Sequence, residues 1–184
     1  MRRRLSVRQT HLLCRAALLC ALLCVLSVIS IPVSAVPVTA AVFGVFLCGM
    51  LLPPRYALAA VCGYLALGLV GLPVFSAFGS GIGVLLGPTG GYLWGYPLMA
   101  LLPSLARRSA AGRSPQQKTR LLLCITAAVL SLLICYAAGT AWYCILTRCT
   151  PMTALTLCVL PFVPFDLLKL AAAMLLGSRF PTEP

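Results

Sequence analysis

The sequence predicts an all-α polytopic membrane protein, a bundle of six transmembrane helices forming one domain over residues 1–184. Three observations carry that expectation. Of the residues 61% are hydrophobic and 9% charged, with a mean hydropathy of +1.06; so few charges leave the surface of a soluble domain unsolvated. The apolar residues gather into runs close to the ~20 residues that a helix needs to cross a bilayer. The 14 Lys and Arg residues cluster in short segments between those runs. The net charge of +12 therefore reads as the positive-inside pattern and not as a nucleic-acid-binding face.

The runs fall at 12–30, 36–52, 55–71, 90–106, 121–140 and 166–180. Arg2, Arg3, Arg4, Arg8 and Arg15 precede or open the first. That start, with Val33-Ser34-Ala35, also resembles a signal peptide and its cleavage site. The apolar run of about 18 residues exceeds the usual 7–15 of such segments, which favours a retained helix. Arg55 separates the second and third runs. Segment 107–120, with Arg107, Arg108, Arg113, Lys118 and Arg120, is polar and without apolar periodicity, so it reads as a cytoplasmic loop. The sixth run is short, about 22 Å at ~1.5 Å per residue. It suffices if the preceding stretch dips into the protein, where Pro161 and Pro164 bend the entry. Arg179 follows it. With residues 1–11 inside the cell, 12 of the 14 basic residues are cytoplasmic, Arg148 lies outside and Lys169 is intramembrane. Both termini, including the tail 178–184, are then cytoplasmic and the protein sits in the cell membrane.

Only two acidic residues exist, Asp166 and Glu183. Asp166 lies in PFVPFDLLKLAAAMLLG, at hydrocarbon depth, with Lys169 three residues on along the same helix face. Ionised groups there cost about 2.5–3.5 kcal/mol each on insertion scales, so they face a cavity or a partner. The pair either neutralises itself as a structural staple or grips a ligand through donors and an acceptor together. Asp166, just after Pro164, also suits a helix N-cap.

Residues 68–96 are too glycine-rich for a regular helix, since each Gly costs about 1 kcal/mol against Ala. Non-helical backbone at membrane level is tolerated only where it is buried or lines a cavity. The stretch, apolar at Leu72, Val74, Phe75 and Phe78, suits a lid over a small ligand. Its lid positions are Gly71, Pro73, Gly79, Gly81, Gly83, Gly87 and Pro88. For Gly91 and Gly95, close helix packing is the competing role.

The ten cysteines include no CxxC, and His11 is the single histidine, so no metal site is expected. Most, such as Cys20, Cys24, Cys48, Cys62, Cys124 and Cys135, lie in apolar runs as small hydrophobes. Cys144 and Cys149 near an outer loop could pair, which spacing alone leaves open. No GxxxxGK[ST] cradles a nucleotide, and one acid outside the membrane runs makes no set for metal-assisted hydrolysis. A membrane-embedded enzyme using the acid–base pair would need further His, Cys or Asp partners, and few are available. No enzyme activity and no cofactor are expected, and any energy for uphill transport must come from another subunit. Ala17 and Ala21, one turn apart, form a close-approach face on the first helix.

Gly71-Leu72-Pro73-Val74-Phe75, followed by Gly87-Pro88-Thr89-Gly90-Gly91-Tyr92-Leu93, closely resembles the signature of the BioY family, the biotin-binding S-components of energy-coupling-factor (ECF) transporters. The resemblance extends to Gly139-Thr140-Ala141-Trp142, to Pro161 through Lys169, and to Ile31-Pro32 with Pro37-Val38-Thr39. It covers about residues 31–177 in family order. The family usually has Gly-Gly where Ala77-Phe78 stand, Gly where Phe165 stands and Gln where Ala41 stands. The first two departures are expected to narrow the pocket or stiffen its lid, and the last removes a polar contact. The resemblance implies six helices around an outward-opening pocket, closed by loops after helices one, three and five. It also implies that Asp166 and Lys169 contact the ureido ring of biotin. The residues agree, since a carboxylate accepts from ureido N–H groups while an ammonium donates to the ring carbonyl. Phe75, Tyr92 and Trp142 are candidates for holding the thiophane ring and acyl chain, with an interfacial belt residue as the competing role for Trp142. Thr89 and loop amides are candidates for the carboxylate tail. The Ala17/Ala21 pattern resembles the docking surface for a transmembrane coupling subunit, which an ATPase pair would drive. An S-component for another small vitamin and a purely structural membrane subunit are the competing readings.

Overall fold

Helix α2 (Ala41–Leu51) explains the architecture. It is apolar all round and eight of its eleven residues are buried, and a helix with no polar face belongs inside a bundle. In the computed structural model, which describes residues 6–31, 37–112 and 117–179, α2 packs against α1 (Val7–Val28), α3 (Pro54–Leu69), α5 (Gly90–Gly112) and α8 (Val163–Arg179). Helix α6 (Gln117–Thr147) runs along α5 in the most extensive contact between elements. Short helices α4 (Ile82–Leu85) and α7 (Pro151–Cys158) precede α5 and α8. Arg2 to Arg4, the cleavage-site resemblance at Val33 to Ala35, Arg113 and Glu183 lie outside the described residues.

Glycines set the closest approaches. A Cβ at Gly49 would stand 2.7 Å from the Ala100 carbonyl oxygen, and one at Gly95 would stand 2.6 Å from the Cys135 Sγ. These are the α2–α5 and α5–α6 contacts, so small residues let helices touch here as they do in lipid-embedded bundles.

The elements depart from the sequence expectation in five places. The second apolar run opens as β2 (Val38–Thr39), paired antiparallel with β1 (Ser30–Ile31), Ser30 opposite Thr39. Pro37 and two β-branched residues favour extended backbone, so the helix waits until Ala41. The expected loop 107–120 is largely helical, α5 running to Gly112 and α6 starting at Gln117. Apolar periodicity reports burial, whereas Ala, Arg, Lys and Gln form helix without it. Helix α6 also continues past Gly139 to Thr147. Helix α7 was not anticipated, though Thr150 accepts from the Thr153 N–H at 3.4 Å ahead of Pro151 at the first helical position, a recognised start signal. Finally, α8 begins at Val163, and the Asp166 N–H donates to the Phe162 carbonyl at 2.8 Å. Asp166 is therefore inside the first turn and is not the N-cap.

By length and composition α1 and residues 119–147 of α6 can each cross a membrane. The α7–α8 pair, bent by 52° at the break holding Pro161, makes a third if counted as one span. Helices α2 and α3 are apolar but shorter, 11 and 16 residues, against the ~20 that a bilayer requires.

Candidate ligand-binding site

Asp166 and Lys169 meet as the one-turn spacing requires. Lys169 Nζ donates to Asp166 Oδ1 at 2.7 Å, and Asp166 is only 2% exposed. Two further groups complete the cluster. Tyr136 on α6 donates its hydroxyl to Asp166 Oδ2 at 2.7 Å. Lys169 Nζ also donates to the Thr39 main-chain carbonyl at 2.8 Å. Both carboxylate oxygens are thus engaged, and the ammonium ties α8 to the β hairpin. A buried charge left without partners costs several kcal/mol, roughly 3–5 when one member of a pair is removed, so this network holds α8, α6 and the hairpin in register.

The cluster opens on a cavity of about 50 Å³ lined by Thr39, Tyr92, Tyr96, Tyr136, Phe162, Asp166 and Lys169 among others. A second lobe of about 50 Å³ adjoins it and shares Pro37, Thr39, Tyr92 and Tyr96. Phe75, Ser76, Val84 and Thr89 close its far side. Each lobe has room for a few water molecules, since one needs ~10–15 Å³.

The cover over the second lobe is built by local geometry. Phe75 is fully buried and meets the Tyr64 ring edge-on, centroids 5.5 Å apart at 85°. It fits because Gly68 beneath it has no Cβ, which would collide with the ring. The Gly81 N–H donates to the Gly68 carbonyl at 2.7 Å and the Phe75 N–H to the Gly79 carbonyl at 3.0 Å. Gly71 (φ 107°) and Gly81 (φ 80°) occupy backbone regions that other residues rarely adopt. Ala77 (φ 51°) and Phe78 (φ 60°) adopt left-handed backbone without being glycine.

The sequence candidates divide accordingly. Asp166, Lys169 and Tyr92 line the first lobe, and Phe75, Thr89 and Tyr92 the second. Trp142 lines neither; its indole N–H donates to the Gly87 carbonyl at 3.0 Å and fastens the end of the cover to α6. Gly71, Pro73, Gly79, Gly81, Gly83, Gly87 and Pro88 shape the covering segment without lining either lobe. Of the departures from the family pattern, Ala41 is buried in the core while Phe165 and Phe78 are exposed, 46% and 70%. Ala17 and Ala21 are exposed on α1. Cys144 and Cys149 are free thiols.

Tyr136, Tyr96 and the Thr39 carbonyl escaped the sequence reading. Tyr96 follows Tyr92 by one helical turn, a spacing that places both on one face. Tyr136 carries a hydroxyl inside an apolar run, which demands a partner. A main-chain carbonyl leaves no residue-type signal at all.

An apolar helical bundle that encloses a paired acid and base beside a small covered cavity defines a membrane protein built to hold a small polar molecule. This chain belongs to the BioY family, whose family model matches residues 1–183. It is 38% identical over 170 residues to the biotin transporter BioY of Thermotoga maritima, covering 91% of this chain and 94% of that one. To the probable biotin transporter BioY of Pyrococcus horikoshii it is 35% identical, covering 89% and 91%. The crystal structure of the S-component for biotin from an ECF-type ABC transporter superposes with a TM-score of 0.83, at 25% identity, over 96% of this chain and 94% of that one.

Proposed function

We propose that this protein is the biotin-capturing, substrate-specificity subunit of a membrane uptake transporter of the ECF type. It is a transport protein and not an enzyme, and biotin is its cargo. The observation that carries the reading of the site is buried Asp166 paired at 2.7 Å with partly buried Lys169, both lining a cavity. The ureido ring supplies N–H donors and a carbonyl acceptor, the complement of a carboxylate beside an ammonium. In the complex the ring N–H groups donate to Asp166 and Lys169 donates to the ring carbonyl. Tyr92 and Phe75 pack the thiophane ring and chain, and Thr89 lies toward the tail. Trp142 contributes by fixing the cover. Two lobes of about 50 Å³ have to merge around the ligand, so binding displaces the covering segment between Gly71 and Pro88.

Six crossings are supplied by α1, α2, α3, α5, α6 and the bent α7–α8 pair, with α2 and α3 extended by their flanking apolar residues. The basic residues orient the bundle with both termini in the cytoplasm and the pocket opening outward. Energy for uphill transport comes from a transmembrane coupling subunit and an ATPase pair. Exposed Ala17 and Ala21 on α1 offer a close-approach face for the coupling subunit.

Equilibrium binding of radiolabelled biotin to detergent-solubilised protein tests the site. Asp166→Asn and Lys169→Met are each expected to abolish tight binding. Wild-type affinity in both variants would show that the pair only staples the fold. Preference for thiamine or riboflavin over biotin would assign the pocket to another vitamin.

A further inference from the structure

The second lobe contains a polar group that the protein itself leaves unused. Ser76 Oγ is buried and has no hydrogen-bond partner among the described residues. The other polar groups of that wall are mostly committed. Ser27 Oγ bonds the Tyr64 hydroxyl at 2.5 Å, and the Thr39 carbonyl receives Lys169. The Thr89 carbonyl accepts from the Tyr92 and Leu93 N–H groups. Ser76, with its unpartnered hydroxyl, and Thr89, which carries a second hydroxyl, border one cavity. A buried donor left unsatisfied is unfavourable, and a ligand acceptor placed there removes the deficit.

The chemistry of that acceptor follows from the wall. Among the described residues no Lys, Arg, Asp or Glu lines the lobe. Thr89 immediately precedes α5, a helix of 23 residues, and Tyr92 and Leu93 of its first turn form part of the wall. The start of a long helix carries partial positive charge that favours an anion. A carboxylate accepting from two hydroxyls beside that helix end satisfies every one of these features. Asp166 and Lys169 line the first lobe and not the second. A ligand whose ureido head sits on that pair, with its chain passing Tyr92 and Tyr96 on the shared wall, delivers its acid end into the second lobe.

We infer that Ser76 and Thr89 donate to the carboxylate of the bound ligand and so select a free acid at the end of its chain. The inference rests on the reading of Asp166 and Lys169 as the head-group site. Its test uses the full chain in detergent with two ligands: biotin, and an analogue whose carboxyl is replaced by methyl. Ser76→Ala is expected to weaken biotin about tenfold, ~1.4 kcal/mol, and to leave the analogue unchanged. Ser76→Thr, which keeps the hydroxyl, is expected to bind biotin almost as the parent does, and Thr89→Val to repeat the selective loss. If Ser76→Ala and Thr89→Val change neither ligand, or weaken both alike, the assignment is overturned. Asp166→Asn separates the two readings, because it weakens both ligands if the head-group site is right. Failure of that variant to weaken either ligand overturns the parent reading, and the assignment of Ser76 with it.

Discussion

Asp166 is held by two partners of different kinds, and removing them has different consequences. Lys169 supplies the counter-charge at 2.7 Å, whereas Tyr136 supplies a neutral hydroxyl to the other oxygen. Lys169→Met leaves a carboxylate 2% exposed without a counter-charge, which costs about 3–5 kcal/mol. Neutralising both members removes that penalty. The double variant Asp166→Asn/Lys169→Met is therefore expected to melt well above Lys169→Met in detergent while still failing to bind biotin. Recovery of binding in the double variant would show that the pair has no role in ligand recognition. Tyr136→Phe strands Asp166 Oδ2 in a buried site, at a cost of about 1–3 kcal/mol. Its melting temperature without ligand should fall, yet biotin binding should persist because the charged pair remains. At this scale the sequence was informative about Asp166 and Lys169, since a three-residue helical spacing brings them together whatever the rest of the chain does. It was silent on Tyr136, which lies 30 residues from Asp166.

The covering segment shows how an element can be right in outline and strained in detail. Its glycine content pointed to irregular backbone, and Gly71 and Gly81 do take positive φ. Ala77 and Phe78 take positive φ without the permissive residue, at roughly 1–2 kcal/mol each. Ala77→Gly and Phe78→Gly are expected to stabilise the protein by about 0.5–1 kcal/mol each, the gain being reduced by the greater freedom of glycine in the unfolded chain. A rise in melting temperature for each variant checks this, and a fall would mean that the side chains contribute more than the backbone conformation costs. The opposite sign applies at Gly49, where a Cβ would meet the Ala100 carbonyl oxygen at 2.7 Å. Gly49→Ala should lower stability by about 1–3 kcal/mol, the usual range for overpacking. Helix boundaries were the least legible elements. The segment 107–120 has no apolar periodicity in its sequence to reveal its helices, and α7 announces itself only through Thr150 and Pro151.

For the whole molecule, the distribution of basic residues makes a statement about orientation that thiol chemistry can check. Cys149 is partly exposed and follows Arg148, at the turn between α6 and α7. In intact cells, a variant retaining only Cys149 is expected to react with a membrane-impermeant maleimide. A variant retaining only Cys14, exposed on the first half of α1, is expected to react only after the cells are opened. The reverse pattern would invert the bundle and turn the pocket toward the cytoplasm. The arrangement around α2 also follows from physics at this scale. The helix with no polar face takes the centre, while α1 and α6 present large exposed apolar side chains such as Leu18, Val25, Leu122 and Leu133, as lipid contact requires.

Hydropathy, the scarcity of acids and the ordered motifs determined by themselves that this is a membrane protein of the BioY family, and local spacing determined that Asp166 and Lys169 share a face. These properties survive in one dimension because they depend on composition or on neighbours within a helical turn. Tertiary structure alone decided that Tyr136 and the Thr39 carbonyl complete the charged cluster, the latter 130 residues from Lys169. It also decided that Phe75 anchors the cover and that Ser76 lines the second lobe. Those depend on where distant segments cross, and packing fixes such crossings only once the entire bundle has closed around α2.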